Sequence, residues 1–251
     1  MTAGNARVKQ ARRLSRRSER SERRLFLAEG PNAVTSALAA GCVVEVFATA
    51  AGADLVPGAG VTLVDDRALA SLAEAVTPAG VVAVCRFVDV PLADAVRGDL
   101  VAICADVRDP GNAGTVVRTA DAAGAAGVVL AGQSVDLYNP KTLRASAGSA
   151  LHLPVAVEPD PARAVEAARA AGLTVLAADG AGEADLHGLP VDLLAAPTAW
   201  LFGNEAWGLP DDLAAVADHR VRIPIHGRAE SLNLATAAAL CLYESARAQR
   251  G

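Results

Sequence analysis

The sequence predicts an α/β protein: a larger C-terminal part built as a doubly wound parallel sheet, preceded by a smaller α/β part. Three observations carry this reading. Short β-branched runs alternate with alanine-rich helical segments along the 251 residues. Beyond residue 99 the strand-like runs are apolar almost throughout, as parallel strands covered on both faces must be. Between the two parts, "VDVPLADAVRG" (88–98) mixes proline, glycine and acids and reads as a boundary.

The elements follow in order. In the first part "VVEVFAT", "VTLV" and "VVAVCRF" read as strands, with "AVTSALAA" and "ALASLAEAV" as helices. In the second, "LVAICADV", "GVVLAG" and "LTVLAADG" are strands and "PARAVEAARAAG" is a helix. "TAWLFGNEAWGLP" and "HRVRIPIHGRAESLN" bring in the last strands and the loops that leave them. Apolar residues make up 52% of the chain, enough for a sizeable core, so wholesale disorder is excluded. Aromatics are only 3%, so that core is mostly Ala, Val and Leu. The organisation expected is a basic arm or helix over 1–24, a small α/β domain over 25–90 and the large domain over 98–251.

Charge is distributed unevenly. Residues 1–24 hold nine basic side chains against Glu19 and Glu22, a net of +7, which leaves −12 on the rest of a chain whose total is −5. A basic arm on an acidic body fits nucleic acid as partner, and a solvated terminus equally well. Cys42, Cys85, Cys104 and Cys241 are far apart, form no Cys-x-x-Cys pair and read as buried thiols in a reducing compartment. The four histidines are scattered without metal-ligand spacing, so no metal is expected. No apolar run has the length of a membrane span, and no apolar h-region follows the basic start; a cytoplasmic protein is expected.

Three polar loops gather where the large domain's strands should end, which is where open α/β sheets bind ligands. In "DPGNAG" (109–114), Pro110 fixes φ, the glycines relieve the backbone, and Asn112 is expected to cap the following helix. Arg118, four residues beyond Gly114 and a single turn into that helix, could reach an anion; as an ordinary capped helix the stretch would need no ligand. In "FGNEAWGLP", Gly203 permits close approach of a ligand, Pro210 to Asp212 open a helix, and Asn204 and Glu205 are left without a structural reason. In "RAESLNLATAAAL", Ser231 is the expected N-cap, which leaves Asn233 surplus. Each loop singly favours plain structure; three at one sheet edge favour a site.

"DPGNAGTVVRTADAAG", "LFGNEAWGLP" and "IPIHGRAESLNLATAAAL" resemble motifs 1, 2 and 3 of the SpoU (TrmH-like) RNA ribose methyltransferases of the SPOUT superfamily, in the family's order. "NPKTLRASAGSALHLPV" looks like the family's linking stretch, and "RSERRLFLAEGPNAVTSALAAG" resembles the small L30e-like RNA-binding domain that many members carry. The resemblance implies an α/β trefoil-knot domain preceded by an L30e-like α/β domain. It implies S-adenosyl-L-methionine as cofactor, with Gly203, Ile223, Leu232 and Gly180 lining its pocket. It further implies a homodimer through the knotted domains, in which Arg118 of one subunit faces the cofactor held by the other.

The implied reaction moves a methyl group to a ribose 2′-oxygen. Arg118 would hold the adjacent phosphate and stabilise the developing alkoxide, while Asn112, Glu205, Ser231 and Asn233 orient it and the ribose. A protein guanidinium keeps its proton, so the general base is left unassigned. RNA is the partner implied, 23S ribosomal RNA ahead of tRNA, because the 2′-hydroxyl is what separates RNA from DNA. Arg12, Arg13, Arg16, Arg17, Arg20, Arg23 and Arg24 would bind its phosphates, so removing residues 1–24 should weaken binding and flatten its salt dependence. Two rivals stand beside this: a non-catalytic RNA-binding protein on the same fold, and a nucleotide-dependent oxidoreductase, which the missing dinucleotide fingerprint disfavours.

Overall fold

The computed structural model describes all residues, Met1–Gly251. The chain forms two compact units, one of Met1–Val88 with Tyr138–His152, the other of Asp89–Leu137 with Leu153–Gly251.

The first unit is built on a four-stranded sheet. Its strands are β1 (Leu25–Glu29), β2 (Val43–Ala48), β3 (Val61–Leu63) and β4 (Val81–Arg86), in the order β1-β4-β2-β3. β4 runs antiparallel to both β1 and β2, and β2 and β3 are parallel. The strand β1 has no counterpart in the sequence reading. Its "LFLAE" is short, and only its pairing of Leu25 with Arg86 and of Glu29 with Val82 makes it a strand.

Residues 1–24 are folded into this unit. Asn5 caps the helix Ala6–Arg12 by accepting from the Arg7 N–H at 2.9 Å, and a second helix spans Arg17–Arg23. Val8, Ala11 and Leu14 are buried in one cluster with Leu27, Phe47, Val82 and Val84. The reading of 68–76 as a helix is corrected: the helix is Asp66–Ala70. Ser71 Oγ donates to Ala68 O at 2.7 Å, competing with the next helical turn, and Glu29 captures the Ala75 N–H at 3.1 Å.

The stretch Tyr138–His152 belongs to the same unit. Tyr138 stacks on Phe87 with centroids 3.7 Å apart, lies 4.8 Å from Phe26, and its Oη accepts from the Val88 N–H at 2.6 Å. The helix Pro140–Ser146 lies along β1, and Arg144 pairs with Glu29 at 3.1 Å.

The second unit is a seven-stranded parallel sheet of order β7-β6-β5-β10-β8-β11-β9. Its strands are β5 (Leu100–Ala105), β6 (Gly127–Ala131), β7 (Val155–Glu158), β8 (Thr174–Ala178), β9 (Ala184–Asp185), β10 (Thr198–Phe202) and β11 (His219–Arg222). Every pairing is parallel. β5, β6 and β10 are buried along their whole length, which explains their unbroken apolar sequences. The helices Pro110–Ala123 and Leu234–Arg250 pack on each other. Trp200 on β10 donates its Nε1–H to Ser245 Oγ at 2.9 Å, tying the last helix to the sheet in the dry interior.

All four cysteines are buried and free, and burial pushes the Cys104 thiol up to about 12. No helix is long and apolar enough to cross a membrane.

Leu14 is 1% exposed, so Leu14→Ala should cost about 2–5 kcal/mol through the cavity it leaves. The expected outcome is a lower urea midpoint, with loss of the near-ultraviolet signal of the first unit's aromatic cluster. A midpoint unchanged from wild type would show that residues 1–24 are not part of that core.

Candidate active site

The sheet reverses its winding between β5 and β8, where β10 is inserted, and the three polar loops leave the carboxyl ends of β5, β10 and β11. The chain leaves β5 at Asp106, which holds a left-handed φ of 56°. Its carboxylate Oδ1 accepts from the Gln133 N–H at 2.7 Å, and its carbonyl accepts from Asn204 Nδ2 at 2.7 Å.

The helix that follows starts earlier than the sequence reading has it. It spans Pro110–Ala123, and its N-cap is Asp109, whose side chain accepts from the Asn112 N–H at 2.8 Å. Asn112 is therefore inside the first turn and is not the cap. Asp before Pro at the first helical position was a legible signal for this start. Arg118 accordingly lies two turns into the helix. It is exposed, makes no hydrogen bond or ion pair, and is not among the residues that line the cavity described below.

The β10 loop folds back on itself. The backbones of Asn204 and Gly208 exchange two hydrogen bonds, both 2.9 Å, and Asn204 Oδ1 accepts from the Ala206 N–H at 2.8 Å. A Cβ on Gly203 would stand 2.3 Å from the carbonyl carbon of Gly208, so glycine is demanded by this reversal. The sequence reading assigned that demand to a ligand; the atom that approaches is the loop's own backbone. Asn204 is buried, and its bonds to Asp106 and Ala206 give it the structural reason the sequence did not supply.

Glu205 joins the loops. Its Oε2 accepts from the Arg108 N–H at 3.1 Å, and its Oε1 accepts from the Asp109 N–H at 3.0 Å and from Asn112 Nδ2 at 3.2 Å. Burial works against the charge, but the N–H groups of Arg108, of Glu205 itself and of Asp109, with the Asn112 amide, outweigh it. The carboxyl is held below its usual range. Asn112 Oδ1 in turn accepts from Asn233 Nδ2 at 3.0 Å. Asn233 is the N-cap of the last helix, accepting from the Ala235 and Thr236 N–H groups at 2.9 and 3.4 Å. The cap is thus Asn233 and not Ser231, which lies two residues earlier in an exposed loop.

A cavity of about 440 Å³ opens beside this frame. Gly180, Gly203, Ile223 and Leu232 all line it, as do Glu205, Ser231 and Asn233. Asp179 also lines it and was not singled out in the sequence. It is clamped by Arg220, whose Nε and Nη2 lie 3.0 and 2.7 Å from Oδ2. The volume is that of a small-molecule site, and the walls combine apolar Phe202, Ile223 and Leu232 with backbone groups and carboxylates. Such walls suit a small molecule with both polar and apolar parts. No group of three or more His, Cys, Asp or Glu side chains is arranged for a metal ion.

The seven arginines expected to meet RNA lie in the other unit. Arg12, Arg13, Arg16, Arg17, Arg23 and Arg24 are exposed. Arg13 pairs with Glu19, Arg23 donates to Gln10 O at 3.0 Å, and Arg24 lies 4.6 Å over the Phe87 ring. Arg20 is the exception. It is 3% exposed and its Nη1 donates to Leu14 O and Ser15 O at 3.0 and 2.9 Å, so it serves the fold.

Residues 99–243 match the SpoU rRNA Methylase family, and residues 5–83 match the MRM3-like substrate binding domain. The chain is 36% identical over 248 residues to the 23S rRNA (guanosine(2553)-2'-O)-methyltransferase RlmP of Bacillus subtilis, covering 96% of each protein. It is similar to the AdoMet-bound rRNA methyltransferase of Sinorhizobium meliloti, with a TM-score of 0.85 at 35% identity, over 97% of this chain and 95% of that one. It is also similar to the SpoU methyltransferase AviRb of Streptomyces viridochromogenes in complex with AdoMet, with a TM-score of 0.86 at 32% identity over 97% of each chain. With its three loop motifs on one frame and both family domains matched, the chain belongs to the SpoU rRNA methylase family.

Proposed function

We propose that this protein transfers a methyl group from S-adenosyl-L-methionine to a ribose 2′-hydroxyl of RNA, with 23S ribosomal RNA as its substrate. The observation that carries this is the cavity at the carboxyl ends of β8, β10 and β11, framed by the Glu205–Asn112–Asn233 chain of hydrogen bonds. A relative matched over 96% of each protein is named for 23S rRNA 2'-O-methylation, and AdoMet is bound in two similar structures. The reading places the enzyme in the cytoplasm, with its RNA.

The cofactor supplies an electrophilic methyl group. The residues that would hold it are Gly180, Gly203, Ile223 and Leu232, through wall contacts and backbone groups. Glu205 is committed: its two oxygens accept three hydrogen bonds, so its part is to lock the loop after β5 onto the loop after β10. Asn112 and Asn233 carry that lock to the last helix. Ser231 lines the cavity from an exposed loop and is offered as an orienting group for the ribose.

Arg118 is the residue we assign to the RNA phosphate and the developing alkoxide. It does not line its own chain's cavity, which supports action across a homodimer in which one subunit's Arg118 faces the other's cofactor. The helices Pro110–Ala123 and Leu234–Arg250 are the surface we offer for that dimer, with Leu240 and Tyr243 exposed on the second. The trefoil knot is part of the same reading. It is supported by the last helix, which lies against β5, β8 and β10 after the loops have closed around the cavity. The exposed arginines of residues 12–24 would add phosphate contacts.

Labelled S-adenosylmethionine with total RNA tests the reading directly: label should enter 23S ribosomal RNA as 2′-O-methyl nucleotides, and no transfer to any RNA would overturn it. Arg118→Ala should lose at least about 100-fold in kcat while the thermal shift produced by the cofactor persists. Arg118→Lys should fail as well, because an ammonium lacks the planar fork.

Glu205→Gln should destabilise the fold by about 1 kcal/mol, a value discounted for the exposure of the carboxylate. Because its carboxyl is held below the usual value of 4.5, the contribution is complete above that pH and is lost as pH falls through the lower folded value. The difference between wild type and variant should therefore be constant near neutral pH and close under acid. A difference that persists in acid would contradict it.

Deleting residues 1–24 is not a clean test of RNA binding, because Val8 and Leu14 belong to the core. The exposed Arg12, Arg16 and Arg17 are the positions to change. Their replacement by Gln should leave the melting temperature unaltered and lower the slope of log Kd against log salt by about 0.7–0.9 for each arginine that meets a phosphate.

A further inference from the structure

Two exposed side chains on the rim of the active-site frame have no part in the mechanism above. The chain has two tryptophans. Trp200 is fully buried with its N–H satisfied, whereas Trp207 is 59% exposed. Trp207 stands in the loop whose Gly203–Ala206 and Gly208 line the cavity, yet it does not line the cavity itself. The Arg108 guanidinium lies 5.9 Å from its ring centroid, within cation–π range, and has no carboxylate partner.

Both residues stand on hydrogen-bonded backbone. Trp207 lies between the two hydrogen bonds that Asn204 and Gly208 exchange. The Arg108 N–H is fixed on Glu205 Oε2. An indole that stays in water beside a cation, on a loop already ordered, presents a flat apolar face without a further ordering cost. The acceptor ribose must reach the cavity, and this rim is one of the surfaces beside its mouth that a flanking nucleotide would meet. Unpaired bases stack on aromatic rings and on guanidinium planes, and their phosphates favour a neighbouring cation.

We infer that Trp207 and Arg108 form a stacking platform for an unpaired base next to the methylated nucleotide, and so position the substrate strand. The inference rests on the methyltransferase reading above. Trp207 touches the substrate strand away from the reacting atoms and is a positioning residue.

Steady-state kinetics of the full chain with 23S ribosomal RNA tests it, using wild type, W207A, W207F and R108A. W207A should raise KM for RNA about 5- to 150-fold, the range expected of one lost base stack. Its kcat and its KM for S-adenosylmethionine should stay within about twofold. W207F should recover most of the loss, and R108A should raise KM for RNA alone. RNA should also quench the tryptophan emission of wild type but not of W207F, which retains only the buried Trp200. This measurement needs no alanine variant to fold. The inference is overturned if W207A keeps the wild-type KM, or if saturating RNA leaves wild-type emission unchanged. It is overturned equally if acrylamide cannot reach Trp207 in the free protein, which would mean that a second copy covers it. Wild type that methylates no RNA would sink the functional reading together with the platform. Wild type that methylates while W207A matches it sinks the platform alone.

Discussion

The Glu205 carboxylate is the interaction on which the candidate site depends. It is contributed by the loop after β10 and accepts hydrogen bonds from the backbone at the start of the helix after β5. Those N–H groups belong to a helix N-terminus, where partial positive charge gathers and favours an anion. That environment keeps the carboxyl ionised despite partial burial. Without the charge, two strands adjacent in the sheet would still pair, but only the Asn204–Asp106 bond would remain to fix how their loops meet above it.

From this junction the order spreads. Asn112 donates to Glu205 and accepts from Asn233, and Asn233 caps the last helix. Three segments, the first more than ninety residues before the other two in sequence, share one unbroken hydrogen-bond path. Gly203 permits the tight return of its loop, and Asn204 closes that return onto Asp106. The cavity is the space left beside these bonds. Arg118 stands outside the path on an exposed helix face.

The N-terminal segment shows charge and packing acting on the same residues. Its arginines set the charge imbalance of the whole chain. Its Val8, Ala11 and Leu14 are nevertheless part of the first unit's core, and Arg20 is spent on the carbonyls of Leu14 and Ser15. Charge counting treats every arginine alike. Helical periodicity turns one of them inward and the others outward, which separates the structural guanidinium from the solvated ones.

The sequence by itself determined the alternation of strands and helices, the parallel character of the second sheet and the three loops that make the site. These are local properties: apolar runs, alanine-rich periodicity, and glycine, proline and asparagine at turns. It also carried the motifs by which the family is recognised. What only the tertiary structure decided is how the polar residues divide their work. Asp109 and Asn233 are the caps where Asn112 and Ser231 were expected, because a cap is fixed by which backbone N–H lies within reach. Strand β1 exists by virtue of its partner β4, and the helix after Asp65 stops at Ala70 because Ser71 and Glu29 claim the backbone beyond it. The bond from Glu205 to a loop nearly a hundred positions earlier has no local signature, because its geometry arises only when β5 and β10 lie side by side.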